Sequence, residues 1–161
     1  EDIVLMDNGH ASLAHYVVLE SLGGKNAEEM FHKHGVHANR DVENGLYASN
    51  GSLGHNLGIG IGMAIANPDK TIYVIVSEGS MMEGSNWEAL RIKDSLKLKN
   101  LKIYGNINGF TATSAFTQED LDKFMARIIA FGGDRESWDM WATDNGLPEL
   151  QGVKGHYVVL K

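Results

Sequence analysis

Cysteine is absent from the sequence, and proline is nearly so, with only Pro68 and Pro148. Without cysteine the chain has neither a disulfide framework nor a thiolate metal site, and the cytoplasm is the expected compartment. No apolar stretch approaches the roughly 18 to 20 residues of a membrane-spanning helix, and no signal-peptide pattern precedes the first motifs. The sequence starts at Glu1, which leaves a processed and a truncated N-terminus both open.

Basic residues are also scarce and dispersed. Fourteen Lys and Arg stand against 21 Asp and Glu, which gives a formal charge of −7, and the basic residues form no continuous run. This distribution argues against a surface for nucleic acid or for an anionic membrane. We therefore expect no nucleic acid and no membrane as partner, but a small molecule or another protein.

The apolar residues are sufficient for a core. At 161 residues and 43% hydrophobic, the chain predicts a single domain over residues 1–161.

The β-branched and aromatic run at residues 71–76 lacks polar alternation, which predicts a central strand covered on both faces. Shorter runs predict further strands at residues 101–104, 156–160 and, more weakly, 138–142. Helical spacing predicts helices over residues 84–98 and 118–130, so the expected fold is α/β, a parallel sheet with helices on both faces.

Residues 52–66 predict another helix that contains an unusual number of glycines. Its apolar positions recur every four residues, at Leu57, Ile61 and Ile65. Glycines recur with the same spacing, at Gly54, Gly58 and Gly62. Each glycine inside a helix costs about 1 kcal/mol relative to alanine, so the stripe predicts a neighbour too close for a Cβ. Tight packing on another element and close approach of a ligand both remain open.

Two predicted strands are followed by loops with polar chemistry. Ligands of open parallel sheets bind beyond the carboxyl ends of the strands. Ser77-Glu78-Gly79-Ser80 offers a carboxylate beside a glycine N–H, and Gly105-Asn106-Ile107-Asn108-Gly109 offers amide oxygens. A helix that begins near Gly84 adds its positive N-terminal end. With phosphate oxygens and water, these groups suit Mg²⁺ or Ca²⁺, although the same residues are typical of ordinary turns.

Four separated motifs together resemble one family. They are Asn8-Gly9-His10-Ala11; Asn50-Gly51-Ser52-Leu53-Gly54; Glu78-Gly79 with Met82-Glu83-Gly84 and Trp87-Glu88-Ala89-Leu90; and Asn106-Ile107-Asn108-Gly109. In order and spacing, over nearly the whole chain, they resemble the transketolase N-terminal domain. The resemblance implies the thiamine diphosphate-binding (PP-domain) fold, with thiamine diphosphate and Mg²⁺, or Ca²⁺ or Mn²⁺, as cofactors.

The resemblance also implies the residues that hold these cofactors. Glu78 and Asn108, thirty residues apart, correspond to the family's Gly-Asp-Gly and Asn, and with the Phe110 carbonyl they would bind the metal. Gly79 would lend its N–H to the diphosphate. The remaining cofactor-side residues would be Gly51, Leu53 and Glu83. Glu83 and Glu88 also resemble acidic residues of the family that couple two active sites across a dimer interface.

The histidines are assigned in the same way. His10 and His37 resemble family histidines on the substrate side and would bind or protonate sugar oxygens, although His37 is offset by one residue. A His-x-His-x-x-His cluster, at His32, His34 and His37, could instead bind Zn²⁺. His15 and His156 are expected to be structural.

Three departures from the family pattern accompany these matches. Ser77-Glu78 replaces Gly-Asp, which adds a side chain beside the phosphates and lengthens the metal ligand by one methylene, a displacement that Mg²⁺ tolerates poorly. Asn106 replaces an aspartate. The family's residues upstream of the Gly-His-Ala motif do not occur in this sequence.

The function implied by the resemblance is transfer of a two-carbon ketol unit between sugars or sugar phosphates. In transketolases the glutamate that activates the cofactor belongs to a pyrimidine-binding domain, so we expect this chain to be the diphosphate-binding subunit of a split enzyme that is a homo- or hetero-oligomer. The alternative is a degenerate, non-catalytic module of the same fold. A 2-oxoacid dehydrogenase or decarboxylase is a third possibility, which the Gly-His-Ala and Trp-Glu-Ala-Leu matches disfavour.

Overall fold

The computed structural model describes residues 2–111, 113–131, 133–134 and 156–160, the last two groups by their backbone only. Six α-helices occur in these residues: α1 (Ser12–Ser21), α2 (Ala27–His34), α3 (Asn56–Ala66), α4 (Glu78–Met81), α5 (Gly84–Leu96) and α6 (Gln118–Ala130). The strands are β1 (Ile3–Met6), β2 (Ile72–Ser77), β3 (Leu101–Ile107), β4 (Gly133–Asp134) and β5 (His156–Leu160). The weaker strand prediction at residues 138–142 lies outside the described residues.

The strands form one sheet in the order β1-β2-β3-β5-β4. β1, β2 and β3 are parallel, with Met6 opposite Ile75 and Ser77 opposite Asn106. This confirms the predicted α/β fold with a parallel sheet. The predicted strand at residues 156–160 is confirmed, but its expected parallel direction was wrong, because β5 pairs antiparallel with β3, and β4 pairs antiparallel with β5. A short apolar run does not encode the direction of its strand, since the neighbouring strand can supply hydrogen bonds in either orientation.

The main core lies on one face of the parallel strands. In β2 the buried residues Ile72, Val74 and Val76 alternate with half-buried ones, and β3 shows the same alternation. α3 packs on β1, β2 and β3, and α5 packs on α3. The opposite face of β2 and β3 is half-buried, so the two faces of the predicted central strand are covered to different degrees. A second, smaller apolar cluster joins α1 and α2, and it consists of Tyr16, Ala27, Met30, Ala38 and Leu46.

The predicted helix over residues 118–130 is confirmed to the residue, and its buried side chains include Phe124, Met125 and Ile128. The Thr117 side chain accepts from the Asp120 N–H and caps its first turn. The helix predicted for residues 84–98 ends at Leu96, because Lys97 takes a left-handed conformation with φ of 51°. Among the described residues no helix is long and apolar enough to cross a membrane.

The glycine-rich helix begins later than predicted, at Asn56, so Gly54 lies in the loop before it. No element of the described chain packs closely on Gly58 or Gly62: both are exposed, and a Cβ there would meet no described atom within 4 Å, so tight packing on another element does not explain them. The closely packed glycine is Gly60, where a Cβ would lie 2.6 Å from Cγ2 of Val74 on β2. Ile65, predicted to share the apolar stripe, is 54% exposed.

Candidate functional site

Glu78 and Asn108 lie at the carboxyl ends of two neighbouring strands. β2 ends at Ser77 and continues directly into α4, so Glu78 is the first residue of that helix. β3 runs to Ile107, three residues beyond the predicted strand, so Asn106 lies within the strand and Asn108 begins the turn. The Gly109 N–H donates to Oε1 of Glu78. This hydrogen bond holds the Glu78 carboxyl group against the turn that carries Asn108.

The other oxygen of Glu78 has no such partner. The residue is fully buried, and Oε2 makes no hydrogen bond to any described group. Burial raises the pKa of Glu78 because it disfavours the charged form, and nearby backbone N–H groups, among them that of Gly109, oppose this effect in part. A buried carboxylate oxygen without a partner is energetically costly. It is therefore a suitable ligand for a cation.

The turn after β3 supplies further oxygens. Oδ1 of Asn108 accepts from the Phe110 N–H at 2.9 Å and retains a second lone pair. The backbone bridge between Phe110 and Ala115 uses the carbonyl of Gly109 and the N–H of Thr111, so the Phe110 carbonyl takes no part in those two hydrogen bonds. The donor set fits a hard divalent cation, because it consists of carboxylate, amide and carbonyl oxygens.

Ser77 caps the short helix α4, which the sequence did not predict. Its Oγ accepts from the Ser80 N–H at 3.3 Å, and Oγ of Ser80 accepts from the Ser77 N–H at 2.8 Å, which completes a capping box. The expected extra side chain beside the phosphates is therefore engaged within its own turn. Gly79 lies next to Leu53, since a Cβ on it would be 3.6 Å from Cδ1 of that residue.

Gly9, the residue before His10, and the side chain of His37 both pack against the segment Asn50-Gly51. A Cβ on Gly9, the residue before His10, would lie 2.6 Å from the Gly51 nitrogen and 2.8 Å from Oδ1 of Asn50. A Cβ on Gly51 would lie 3.1 Å from Cγ of His37. The chain can pack this closely only because both positions are glycine. The side chains of His10 and His37 are exposed.

Asn50 joins the histidine-bearing segments by hydrogen bonds. Its Oδ1 accepts from the Ala38 N–H at 2.7 Å, and its Nδ2 donates to Oγ of Ser12 at 2.8 Å. Ser12 in turn donates to the Gly9 carbonyl at 2.6 Å. The residues after His10 and after His37 are thus fixed to the same side chain.

Glu83 also adjoins the predicted site, whereas Glu88 does not contact it. A Cβ on Gly54 would lie 2.5 Å from Cβ of Glu83, and Ser85 donates to the Gly54 carbonyl at 2.9 Å. The Glu83 side chain is exposed. Glu88 is exposed on α5 and pairs with Arg91 at 3.4 Å.

The histidine cluster considered for Zn²⁺ is divided among different partners. Nε2 of His34 lies 3.1 Å from Oδ2 of Asp41, His32 lies 3.7 Å from Glu28, and His37 packs on Gly51. Within the described part of the chain no group of three or more His, Cys, Asp or Glu residues could hold a metal ion. His15 is buried, and burial lowers the pKa of its imidazole.

Asp7 is a buried polar residue that sequence reasoning missed. Its carboxylate accepts from the N–H groups of Gly54 and Asn56 and from the side chain of Asn86. The residue directly follows β1, whose run Ile-Val-Leu-Met was not among the predicted strands. An acidic residue at the end of such a run is the signal that could have revealed it.

Comparisons with known proteins find transketolases and a 1-deoxy-D-xylulose-5-phosphate synthase, although no family model matches the chain. The chain is 32% identical over 145 residues to one subunit of the apulose-4-phosphate transketolase of Phocaeicola vulgatus, in an alignment that covers 83% of this chain and 51% of that protein. It is 25% identical to the transketolase of Mycoplasma pneumoniae over 92% of this chain and 25% of that protein. The solved structure of transketolase from Leishmania mexicana superposes with a TM-score of 0.67 at 25% identity, over 79% of this chain and 23% of that one.

The chain thus spans a quarter to a half of the length of these relatives. The relatives and the solved structure agree with the fold and with the family resemblance of the four motifs.

Proposed function

From the premise that this chain is a transketolase-like N-terminal domain, we propose that it is the diphosphate-binding part of an enzyme that transfers a two-carbon ketol unit between sugars or sugar phosphates. The observation that carries the proposal is the buried, unpartnered Oε2 of Glu78, held by Gly109 against the turn of Asn108. An oxygen in that state, at the carboxyl edge of a parallel sheet, suits a divalent cation and the diphosphate that the cation binds.

Each residue in the proposed site has a distinct task. Glu78, Asn108 and the Phe110 carbonyl would hold Mg²⁺, or Ca²⁺ or Mn²⁺, and the Gly79 N–H would be available to the diphosphate. Gly51 and Leu53 would form the surface for the thiamine rings, and Glu83 lies next to Gly54 in the same loop region. The bound cofactor would supply the electron sink that ketol transfer needs. His10 and His37 hold sugar oxygens and exchange protons with them.

The proposed partner is a pyrimidine-binding domain on a separate chain. Two relatives, with 32% and 31% identity, are each named as one subunit of an apulose-4-phosphate transketolase, which supports a division of the enzyme between chains. The exposed face of α3 is a suitable contact surface, because Ile59 and Ile65 are 40% and 54% exposed there and Gly58 and Gly62 lie beside them. We further propose a cytoplasmic location and a homo- or hetero-oligomer.

The second candidate is a module that keeps the fold without catalysis. Two contacts favour it: the Ser80 N–H is already bound by Ser77, and Oε1 of Glu78 is already bound by Gly109. Both contacts would compete with ligands at the diphosphate end of the site.

Calorimetry and a ketol-transfer assay separate the two candidates. The chain is titrated with thiamine diphosphate with and without Mg²⁺, and transfer is then assayed before and after addition of a pyrimidine-domain protein. Metal-dependent binding with activity only in the mixture supports the split enzyme. Binding without activity in either assay supports the module, and full activity of the chain alone contradicts the need for a partner.

A further inference from the structure

Asp7 receives three hydrogen bonds in the interior of the protein. Its Oδ2 accepts from the Gly54 N–H at 3.0 Å and from Nδ2 of Asn86 at 2.8 Å, and its Oδ1 accepts from the Asn56 N–H at 2.8 Å. The residue is 1% exposed. A carboxylate this buried cannot reach a bound ligand directly, so any effect on the site acts through the groups it holds.

Those groups belong to two separate parts of the proposed cofactor site. Gly54 is in the glycine loop, residues 51–55, which carries the thiamine-side residues Gly51 and Leu53. Nδ2 of Asn86 also donates to the Ser80 carbonyl at 2.9 Å, and Ser80 lies in α4 with Glu78 and Gly79. One carboxylate therefore connects the glycine loop to the helix that carries the metal and diphosphate residues.

The strength of this connection follows from its burial and charge. Hydrogen bonds to an ionised carboxylate are roughly twice as strong as those between neutral groups. A buried N–H that loses its acceptor bears its full desolvation cost. Removal of the Asp7 charge leaves two backbone donors and one amide donor without a full partner, and the glycine loop and α4 then lose their common support.

We infer that Asp7 is a positioning residue that fixes the glycine loop and α4 in one relative geometry, so that thiamine rings and diphosphate are held at the correct separation. This inference rests on the proposed function. Neither Asp7 nor Asn86 touches the cofactor or the reacting atoms in this arrangement. Their role is to hold Gly51, Leu53 and Gly79 in place.

The test compares Asp7→Asn with a matched control at the opposite end of the sheet. Nδ2 of Asn100 donates to three backbone carbonyls, those of Ala64, Asn67 and Lys70, at 2.9 to 3.2 Å. Asn100→Ala therefore removes a comparable set of hydrogen bonds far from the proposed site. Both variants of the full chain are studied by thermal unfolding, amide hydrogen exchange and calorimetric titration with thiamine diphosphate and Mg²⁺.

Asp7→Asn should lower the affinity for thiamine diphosphate by about tenfold or more, the usual effect of removing a group that orients a ligand-binding residue. Without cofactor it should also speed exchange of the Gly54 and Asn56 amides and of α4. Asn100→Ala should unfold at a lower temperature while its cofactor affinity stays at the wild-type value. Unchanged affinity for thiamine diphosphate in Asp7→Asn overturns the inference. The inference is also overturned if Asn100→Ala and Asp7→Asn lose the same stability and the same cofactor affinity.

Asn86→Ala replaces Asp7→Asn if that variant does not fold. It keeps the two backbone hydrogen bonds of Asp7 but removes both hydrogen bonds of the Asn86 Nδ2, to Asp7 and to the Ser80 carbonyl, so faster exchange should be concentrated in α4 and accompanied by weaker cofactor binding. Wild-type affinity in Asn86→Ala overturns the inference. A wild-type chain that binds no thiamine diphosphate overturns the proposed function, while the exchange data still decide whether Asp7 fixes the two segments.

Discussion

The Gly109 N–H donates to Oε1 of Glu78, which joins the start of α4 to the turn after β3 across thirty-one residues of sequence. The two oxygens of the carboxyl group therefore have different environments. Oε1 accepts the hydrogen bond from Gly109, whereas Oε2 is buried without a partner among the described groups. The longer side chain of Glu78 relative to the family's aspartate is accommodated by this reach across the sheet edge. The carboxyl group is thereby fixed before any ligand binds.

Glu78→Gln should abolish metal-dependent binding of thiamine diphosphate while the fold is retained. Glutamine keeps an oxygen that can accept from Gly109 but carries no charge for a cation. Asn108→Ala should have the same effect, and Glu78→Asp should keep or strengthen Mg²⁺ binding because it restores the family's ligand length. Calorimetry measures each affinity, with exposed Glu88→Gln as the control. Wild-type affinity in both Glu78→Gln and Asn108→Ala would remove the site assignment.

The acid stability of the chain should depend on Asp41. Hydrogen bonds from Lys33, Asn44 and His34 all reach its Oδ2, and with the Lys33 bond as the largest cause they lower the pKa of Asp41 to about 2. Because the folded pKa lies below the unfolded value of 3.8, the stabilisation is present above pH 3.8 and is lost as the pH falls towards 2. Asp41→Asn should therefore reduce the free energy of unfolding near neutral pH by about 1 kcal/mol.

Chemical denaturation of both proteins between pH 2 and 7 checks this prediction. The difference between wild type and Asp41→Asn should shrink as the pH falls below about 4, near the ordinary pKa of an aspartate. A difference that stays constant over that range would show that Asp41 acts through packing and not through its charge.

Ser77→Gly should destabilise the chain and strengthen its affinity for the diphosphate. Loss of the Ser77 Oγ removes the acceptor of the Ser80 N–H, and replacing an N-cap serine by glycine costs a few tenths of a kcal/mol. The freed N–H lies in the same turn as Gly79, where the diphosphate is proposed to bind. Thermal unfolding measures the first effect and calorimetry the second. Asn26→Gly, which removes the N-cap of α2 outside the proposed site, is the control, and an affinity that falls in Ser77→Gly would show that the cap supports the site.

The sequence was most informative where one local pattern determines one structure. The helical spacing of apolar residues such as Phe124, Met125 and Ile128 was sufficient to predict α6. The motifs likewise predicted that Glu78 and Asn108 meet, since parallel strands bring their carboxyl ends to one edge. The capping role of Ser77 was not predicted. The resemblance to the family shows only that a serine replaces a glycine beside the phosphates, and it does not show that the serine hydroxyl binds the Ser80 N–H.

Features that depend on distant residues were not predictable from these patterns. The direction of β5 is set by its pairing with β3, and a five-residue apolar run contains no signal for it. Asp7 and Asn86 are separated by 79 positions, and neither belongs to a motif that resembles the family. The role of Gly60 was missed for a similar reason: the spacing of the glycines does not reveal that Gly60 packs against Val74 while Gly58 and Gly62 face outward.

These glycines provide a direct test of the proposed partner surface. Gly58→Ala and Gly62→Ala should each stabilise the isolated chain by about 1 kcal/mol, because alanine is the better helix former and a Cβ at either position meets no described atom within 4 Å. The same variants should weaken association with a pyrimidine-domain partner, since close packing on the exposed face of α3 requires the absence of a Cβ.

Gly60→Ala is the control: its Cβ would lie 2.6 Å from Val74, so it should destabilise the chain whether or not a partner is present. Thermal unfolding of each chain alone and sedimentation of each mixture separate the two effects. If Gly58→Ala and Gly62→Ala stabilise the chain but bind the partner with wild-type affinity, the partner does not pack closely on α3, and the contact surface must be sought elsewhere on the molecule.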